Sequence, residues 1–163
     1  MHRMAADAPT RKRVCRREDD AALVGKGVAV RPSTLPGAGL GLFAVDAFAS
    51  RDIVTEYAGR ALSRAEARAT DTRRTHIAAR TGTIVLGLHD ADAAAEAGQG
   101  GGSFANDCFN APPAMRAVYN VELYDSSRRL GRLYLRVRPQ TTVRAGDELF
   151  LNYGRGGRAM IGM

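Results

Sequence analysis

The apolar residues of this chain come in short runs that glycine, proline or a polar pair interrupts every few positions, and only one stretch carries helix signals. Tyr119, Val121 and Leu123 alternate with Asn120, Glu122 and Tyr124, and Leu133, Leu135 and Val137 alternate with Tyr134, Arg136 and Arg138. A period of two places alternate side chains on opposite faces of a strand, so these runs, joined through residues 125–129, predict an antiparallel hairpin. Val28–Arg31, closed by Pro32, predicts a further strand, as do the residues after the glycines at 37, 39 and 41. Ile53–Tyr57, ending at Gly59, and Thr83–Leu86 complete the set. Ser63-Arg64-Ala65-Glu66 is a capping box, in which serine and glutamate satisfy each other's backbone amides. The helix it opens is expected to reach about Arg80, with Gly82 as its stop, and to lie on the surface because it holds few large apolar residues. Parallel βαβ winding needs more helices than this. The expected fold is therefore mainly β, made of small sheets with one surface helix.

At 163 residues the chain has the size of one ordinary domain. Residues 1–24 read as a flexible basic arm, 25–154 as the folded domain and 155–163 as a short tail. The arm holds Arg11-Lys12-Arg13-Val14-Cys15-Arg16-Arg17, a candidate nuclear-import or nucleic-acid patch. Formal net charge is +7, which favours acidic partners. No run of about 18 apolar residues spans a membrane, and the N-terminus lacks a secretory pattern. Cys15 and Cys108 alone supply neither a disulfide framework nor a four-ligand zinc site, so a reduced, intracellular protein is expected, nuclear in a eukaryote.

Three stretches share a glycine- or aromatic-rich character: Gly39-Leu40-Gly41-Leu42-Phe43, Ser103-Phe104-Ala105-Asn106-Asp107-Cys108, and Ala145–Gly154, which reads as a tight turn, a short apolar strand and a tyrosine followed by glycine. Gly39–Ala44 matches the dinucleotide fingerprint in letters, but no helix follows to hold a pyrophosphate. The glycines at 98 and 100–102, expected to end a mobile loop from Asp90, lack the lysine and hydroxyl residue of a P-loop. Glycine does permit close backbone approach to a ligand.

In sequence order these segments resemble the SET domain of protein lysine methyltransferases. Gly39–Ala44 is similar to the family's G-x-G-L-F-A, and Ile53–Gly59 to I-x-E-Y-x-G. Phe104–Cys108 is similar to the start of R-F-I-N-H-S-C, Asn120-Val121-Glu122 falls where the family's later asparagine and strand lie, and Gly146–Gly154 is similar to G-E-E-L-T-x-D-Y-G. The resemblance covers roughly 25–154. It implies a β-clip fold with a knot-like crossing, S-adenosyl-L-methionine as cofactor, and a protein lysine, histone tails included, as substrate.

Residue by residue, it implies that Gly39, Leu40, Gly41, Asn106, Asp107 and Tyr153 meet the cofactor. Tyr57, Phe104 and Leu151 would line the lysine channel, and Tyr153 and Tyr57 would be the catalytic pair. Asp107 stands where the family has histidine, Leu151 stands where an aromatic residue often tunes the number of methyls, and cysteine-rich zinc segments are absent on both sides. No metal is implied. Glu56 and Glu148 are expected to serve strand pairing or fold. The competing reading is a SET-like module without catalysis that docks chromatin or nucleic acid through the basic arm. Oligomeric state stays open.

Overall fold

A computed structural model describes residues 27–70, 77–80, 82–88, 100–115, 117–125 and 132–154. The basic arm, residues 90–99 of the expected mobile loop, most of the hairpin joint and the tail lie outside the described residues. Among the described residues eight strands form three small antiparallel sheets. Strands β1 (Val28–Pro32) and β2 (Leu40–Ala44) pair alone. Strands β3 (Ile53–Glu56), β7 (Val121–Asp125) and β8 (Leu133–Val137) form a second sheet in the order β3-β8-β7. Strands β4 (Gly59–Ala61), β5 (Ile77–Arg80) and β6 (Thr83–Gly87) form a third in the order β4-β6-β5. The mainly β architecture is the expected one.

The predicted hairpin is β7–β8, with Val121 opposite Val137 and Leu123 opposite Leu135. Alternation decides what is buried. Leu133, Leu135 and Val137 are sealed in the core with Val54, Leu42 and Leu149. Tyr134, on the other face of β8, is buried as well.

Two elements differ from expectation. The capping box forms as predicted, with Ser63 Oγ accepting from the Glu66 amide and Glu66 from the Ser63 amide, but helix α1 spans only Arg64–Ala69. Residues Ile77–Arg80, expected in that helix, pair instead with β6 from Thr83 to Leu86. A helix with no buried residue gains little from packing, whereas the open edge of β6 offers backbone partners to any neighbouring extended segment. Gly59, expected to end a strand, begins β4. A side chain there would collide with the Leu86 carbonyl across the sheet.

The glycines near 101 likewise belong to the interior. Gly101–Phe104 forms a buried 3-10 turn. A Cβ on Gly102 would lie 2.9 Å from Tyr57 Cα and 3.0 Å from the Glu56 carbonyl, backbone atoms with no room to yield. The turn thus feeds the Asn106 segment directly against the end of β3.

The C-terminal segment closes the fold. It passes between two stretches that are distant in sequence, bridged to Asn106 through Phe150 and to Val121 through Leu151, both in parallel sense. The Leu151 amide donates to the Asn106 carbonyl at 2.9 Å. On the other flank buried Asn120 clamps the segment twice: its Nδ2 donates to the Glu148 carbonyl and its Oδ1 accepts from the Phe150 amide, both at 2.8 Å. Residues 106–121 therefore form a loop whose two ends grip the strand running between them, the knot-like crossing expected above. Asn120→Ala strands two buried backbone groups at once, and a loss of about 2–4 kcal/mol of stability is expected. Denaturant unfolding measures it, and a loss below about 0.5 kcal/mol, the range of ordinary surface substitutions, would show that this clamp does not hold the crossing.

Candidate active site

The crossing brings Tyr153 onto the asparagine segment. Its phenol donates to the Ala105 carbonyl at 3.0 Å, and its amide donates to Asp107 Oδ2 at 2.9 Å. Both ends of the residue are thus held by one three-residue stretch, which fixes the ring against the core. Tyr57 lies just beyond β3, its amide bonded to the Leu133 carbonyl at 2.8 Å. Burial pushes the Tyr57 phenol well above its ordinary range, and Tyr153 adds to that shift. Burial, with a smaller contribution from the Asp107 carboxylate, pushes Tyr153 up to about 12. Both hydroxyls are therefore neutral donors at any physiological pH.

Asp107 acts here as an organiser. Its carboxylate accepts from the Phe109 amide at 2.8 Å, the Tyr119 hydroxyl at 2.6 Å and the Tyr153 amide, so one buried side chain orders the turn after it and the tyrosine across from it. Asn106 donates from Nδ2 to the Leu40 carbonyl at 2.9 Å, with Glu148 Oε1 at 3.5 Å as a second acceptor. Among the described residues no protein donor meets its Oδ1.

The glycine motif has two parts. Gly39 has a φ of +72° with open space where a Cβ would sit, and the neighbouring Leu40 side chain is exposed. Gly41 lies within β2, and a Cβ there would collide with Glu148 Oε1, so this glycine makes room for a carboxylate of the chain itself. Phe104 and Leu151 share the buried main core with Tyr57, and neither is among the residues lining the pocket described next. Glu148 is a site residue whose position sequence reasoning missed. It was expected to serve pairing or fold, and its β-bridge to Phe43 agrees with that. Yet its carboxylate also gathers Ser33 Oγ at 2.6 Å, the Thr34 amide at 2.8 Å and the Thr34 hydroxyl. No local signal marks a partner more than a hundred positions away.

A pocket of about 390 Å³ opens beside these groups. Leu35, Pro36 and Ala38 form one apolar wall and Ala111 and Pro112 another, with Asn106, Asp107 and Tyr153 also lining it. The volume falls within the roughly 300–1,000 Å³ of small-molecule sites. Apolar walls suit a flat heteroaromatic ring, and the accessible Oδ1 of Asn106 suits a donor or cationic group. The donor set thus fits an adenosyl sulfonium. Among the described residues no three histidine, cysteine or carboxylate side chains are grouped to hold a metal ion.

Small antiparallel sheets with a C-terminal strand gripped inside a loop define a mainly β, SET-like fold. Solved structures with this fold include a humanized mutant of the Chaetomium thermophilum Polycomb Repressive Complex 2 bound to an inhibitor, matched at TM-score 0.57 and 23% identity over 80% of this chain. Another is ctPRC2 in an autoinhibited conformation bound to S-adenosylmethionine, at TM-score 0.53 and 19% identity over 80% of this chain. The match spans 15% of each of those chains, and likeness at that identity establishes a shared fold. No protein-family model and no curated protein matches the sequence.

The environment of Tyr153 generates a pH prediction. Its pKa is raised above the ordinary 10.0, so the unfolded chain releases this proton first. The contribution to stability is whole below pH 10 and is lost as pH rises from there towards about 12. Subtracting the alkaline absorbance titration of Tyr153→Phe from that of the parent is expected to leave a phenol with a midpoint near 12. A difference curve centred at 10 would place this hydroxyl in solvent.

Proposed function

We propose that the chain is an S-adenosylmethionine-dependent protein lysine N-methyltransferase. The observation that carries this reading is the crossing that seats Tyr153 against Ala105–Asp107, packed on the core that holds Tyr57 and in the lining of the pocket. The cofactor bound to one structural neighbour and the motif order across residues 25–154 support it.

The chemical difficulty lies in the nucleophile. A lysine with a pKa near 10.4 is neutral in only about one molecule in a few thousand at pH 7, a cost of about 4–5 kcal/mol. S-adenosylmethionine, when bound, supplies an electrophilic methyl on a positive sulfur. Asn106, the Leu35–Ala38 wall and Ala111–Pro112 are the groups that would hold it. Two neutral, largely buried phenols disfavour an ammonium by desolvation and admit a free amine. Tyr153, bound at its hydroxyl and its amide, keeps a fixed orientation and needs no reorganisation during reaction. The Ala105 carbonyl that accepts its hydrogen bond adds an acceptor suited to weak C–H···O contacts with a methyl group. No general base is required, since solvent takes the lysine proton.

The substrate is a protein with an exposed lysine, and histone tails are the first to test on the strength of the sequence resemblance. Tyr153→Phe is expected to slow transfer by about 100-fold or more, because the hydroxyl that anchors the ring is lost. A histone mixture with labelled cofactor measures it, and near-normal turnover refutes the role. Calorimetry with S-adenosylmethionine tests the whole reading. Absence of binding at millimolar concentration would favour a docking module over an enzyme.

A further inference from the structure

The carboxylate of Glu148 is only 7% exposed, yet it joins the Ser33–Thr34 loop to Asn106, a polar residue of the pocket lining. Its Oε2 holds both Thr34 donors, its Oε1 holds Ser33 Oγ, and the same Oε1 faces Asn106 Nδ2. The first two contacts tether the loop that continues into the apolar wall at Leu35–Ala38. The third bears on polarity. Asn106 has one donor end and one acceptor end, and the Leu40 carbonyl and Glu148 Oε1 are both acceptors on the same side. Only the amide's NH2 satisfies both, so its oxygen is turned the other way.

We infer that Glu148 is a positioning residue for the ligand pocket: it holds the Asn106 amide so that Oδ1 faces the ligand, and its charge makes that end selective for a cationic hydrogen-bond donor such as the ammonium of an amino-acid moiety. This rests on the cofactor reading above only for the identity of the ligand. The orientation of the amide stands by itself. Gly41 belongs to the same device, since any side chain there would displace the carboxylate.

Glu148→Gln separates positioning from anchoring. Glutamine has the same shape, its oxygen can keep the two Thr34 donors, and its NH2 can donate to Ser33 Oγ, which already accepts from the Leu35 amide at 3.1 Å. The loop thus stays tethered. That NH2, however, now opposes the NH2 of Asn106, and the local negative charge is gone. Thr34→Ala is the complementary control, loosening the loop while leaving Glu148 and Asn106 together.

Two measurements test this on the full chain. In the ligand-free protein, the side-chain amide protons of Asn106, read by nitrogen-15 NMR, are expected to be shifted and slow to exchange, and to lose that protection in Glu148→Gln. By calorimetry, Glu148→Gln is expected to weaken S-adenosylmethionine about tenfold while leaving adenosine, which lacks the ammonium, nearly unchanged. Thr34→Ala should weaken both ligands to a similar extent. Equal weakening of the two ligands by Glu148→Gln, or an Asn106 amide that exchanges like an exposed one in the parent protein, overturns the assignment. If the parent binds neither ligand, the methyl-donor reading fails, and the NMR result alone decides the role of Glu148. Should Glu148→Gln not fold, the parent's amide protection still decides it.

Discussion

The fold depends on one strand being gripped from both sides. Residues Glu148–Leu151 have no long sheet of their own. They are held by a parallel bridge to Asn106, another to Val121, and the paired bonds of Asn120. Buried backbone must find partners, and in this segment part of the demand is met by a side-chain amide acting as a substitute strand. Tyr153 follows directly, so its position inherits the rigidity of the crossing. Without that grip, Asp107 would have no Tyr153 amide to accept from, and Ala105 no phenol.

Among the described residues the buried carboxylates are Asp107 and Glu148, and each is well supplied with donors. Asp107 takes two backbone amides and the Tyr119 hydroxyl, and Glu148 takes hydroxyls and an amide from Ser33 and Thr34. A buried carboxylate is tolerable only when so bonded. The two therefore act as organisers of the loops on either side of the pocket, one beneath Tyr153 and one behind Asn106. Asp107, which departs from the histidine of the family pattern, finds in Tyr119 a donor from within its own loop.

Glycine serves different ends at different positions. Gly39 has a φ that favours glycine and borders open space, Gly41 admits the Glu148 carboxylate, and Gly102 admits the backbone of Tyr57. The letters of a glycine motif alone cannot distinguish these uses, because the atoms that Gly41 and Gly102 make room for come from elsewhere in the chain.

Local pattern was enough for the β class, the β7–β8 hairpin and the capping box, whereas the grouping of Asn106 with Tyr153 was implied only by the family resemblance. Period-two alternation and capping are short-range effects, decided by neighbours within a few residues. The end of α1 and the capture of Ile77–Arg80 by β6 were not legible, since a weak surface helix loses to an available sheet edge only once that edge exists. Nor was Glu148's hold on Ser33 and Thr34, a contact across more than a hundred residues. Sequence by itself determined most of the extended segments, Ile77–Arg80 excepted, and which residue types are on hand for the site. Only the tertiary structure decided which distant groups meet, because long-range pairing is settled by the packing of whole segments and leaves no periodic trace along the chain.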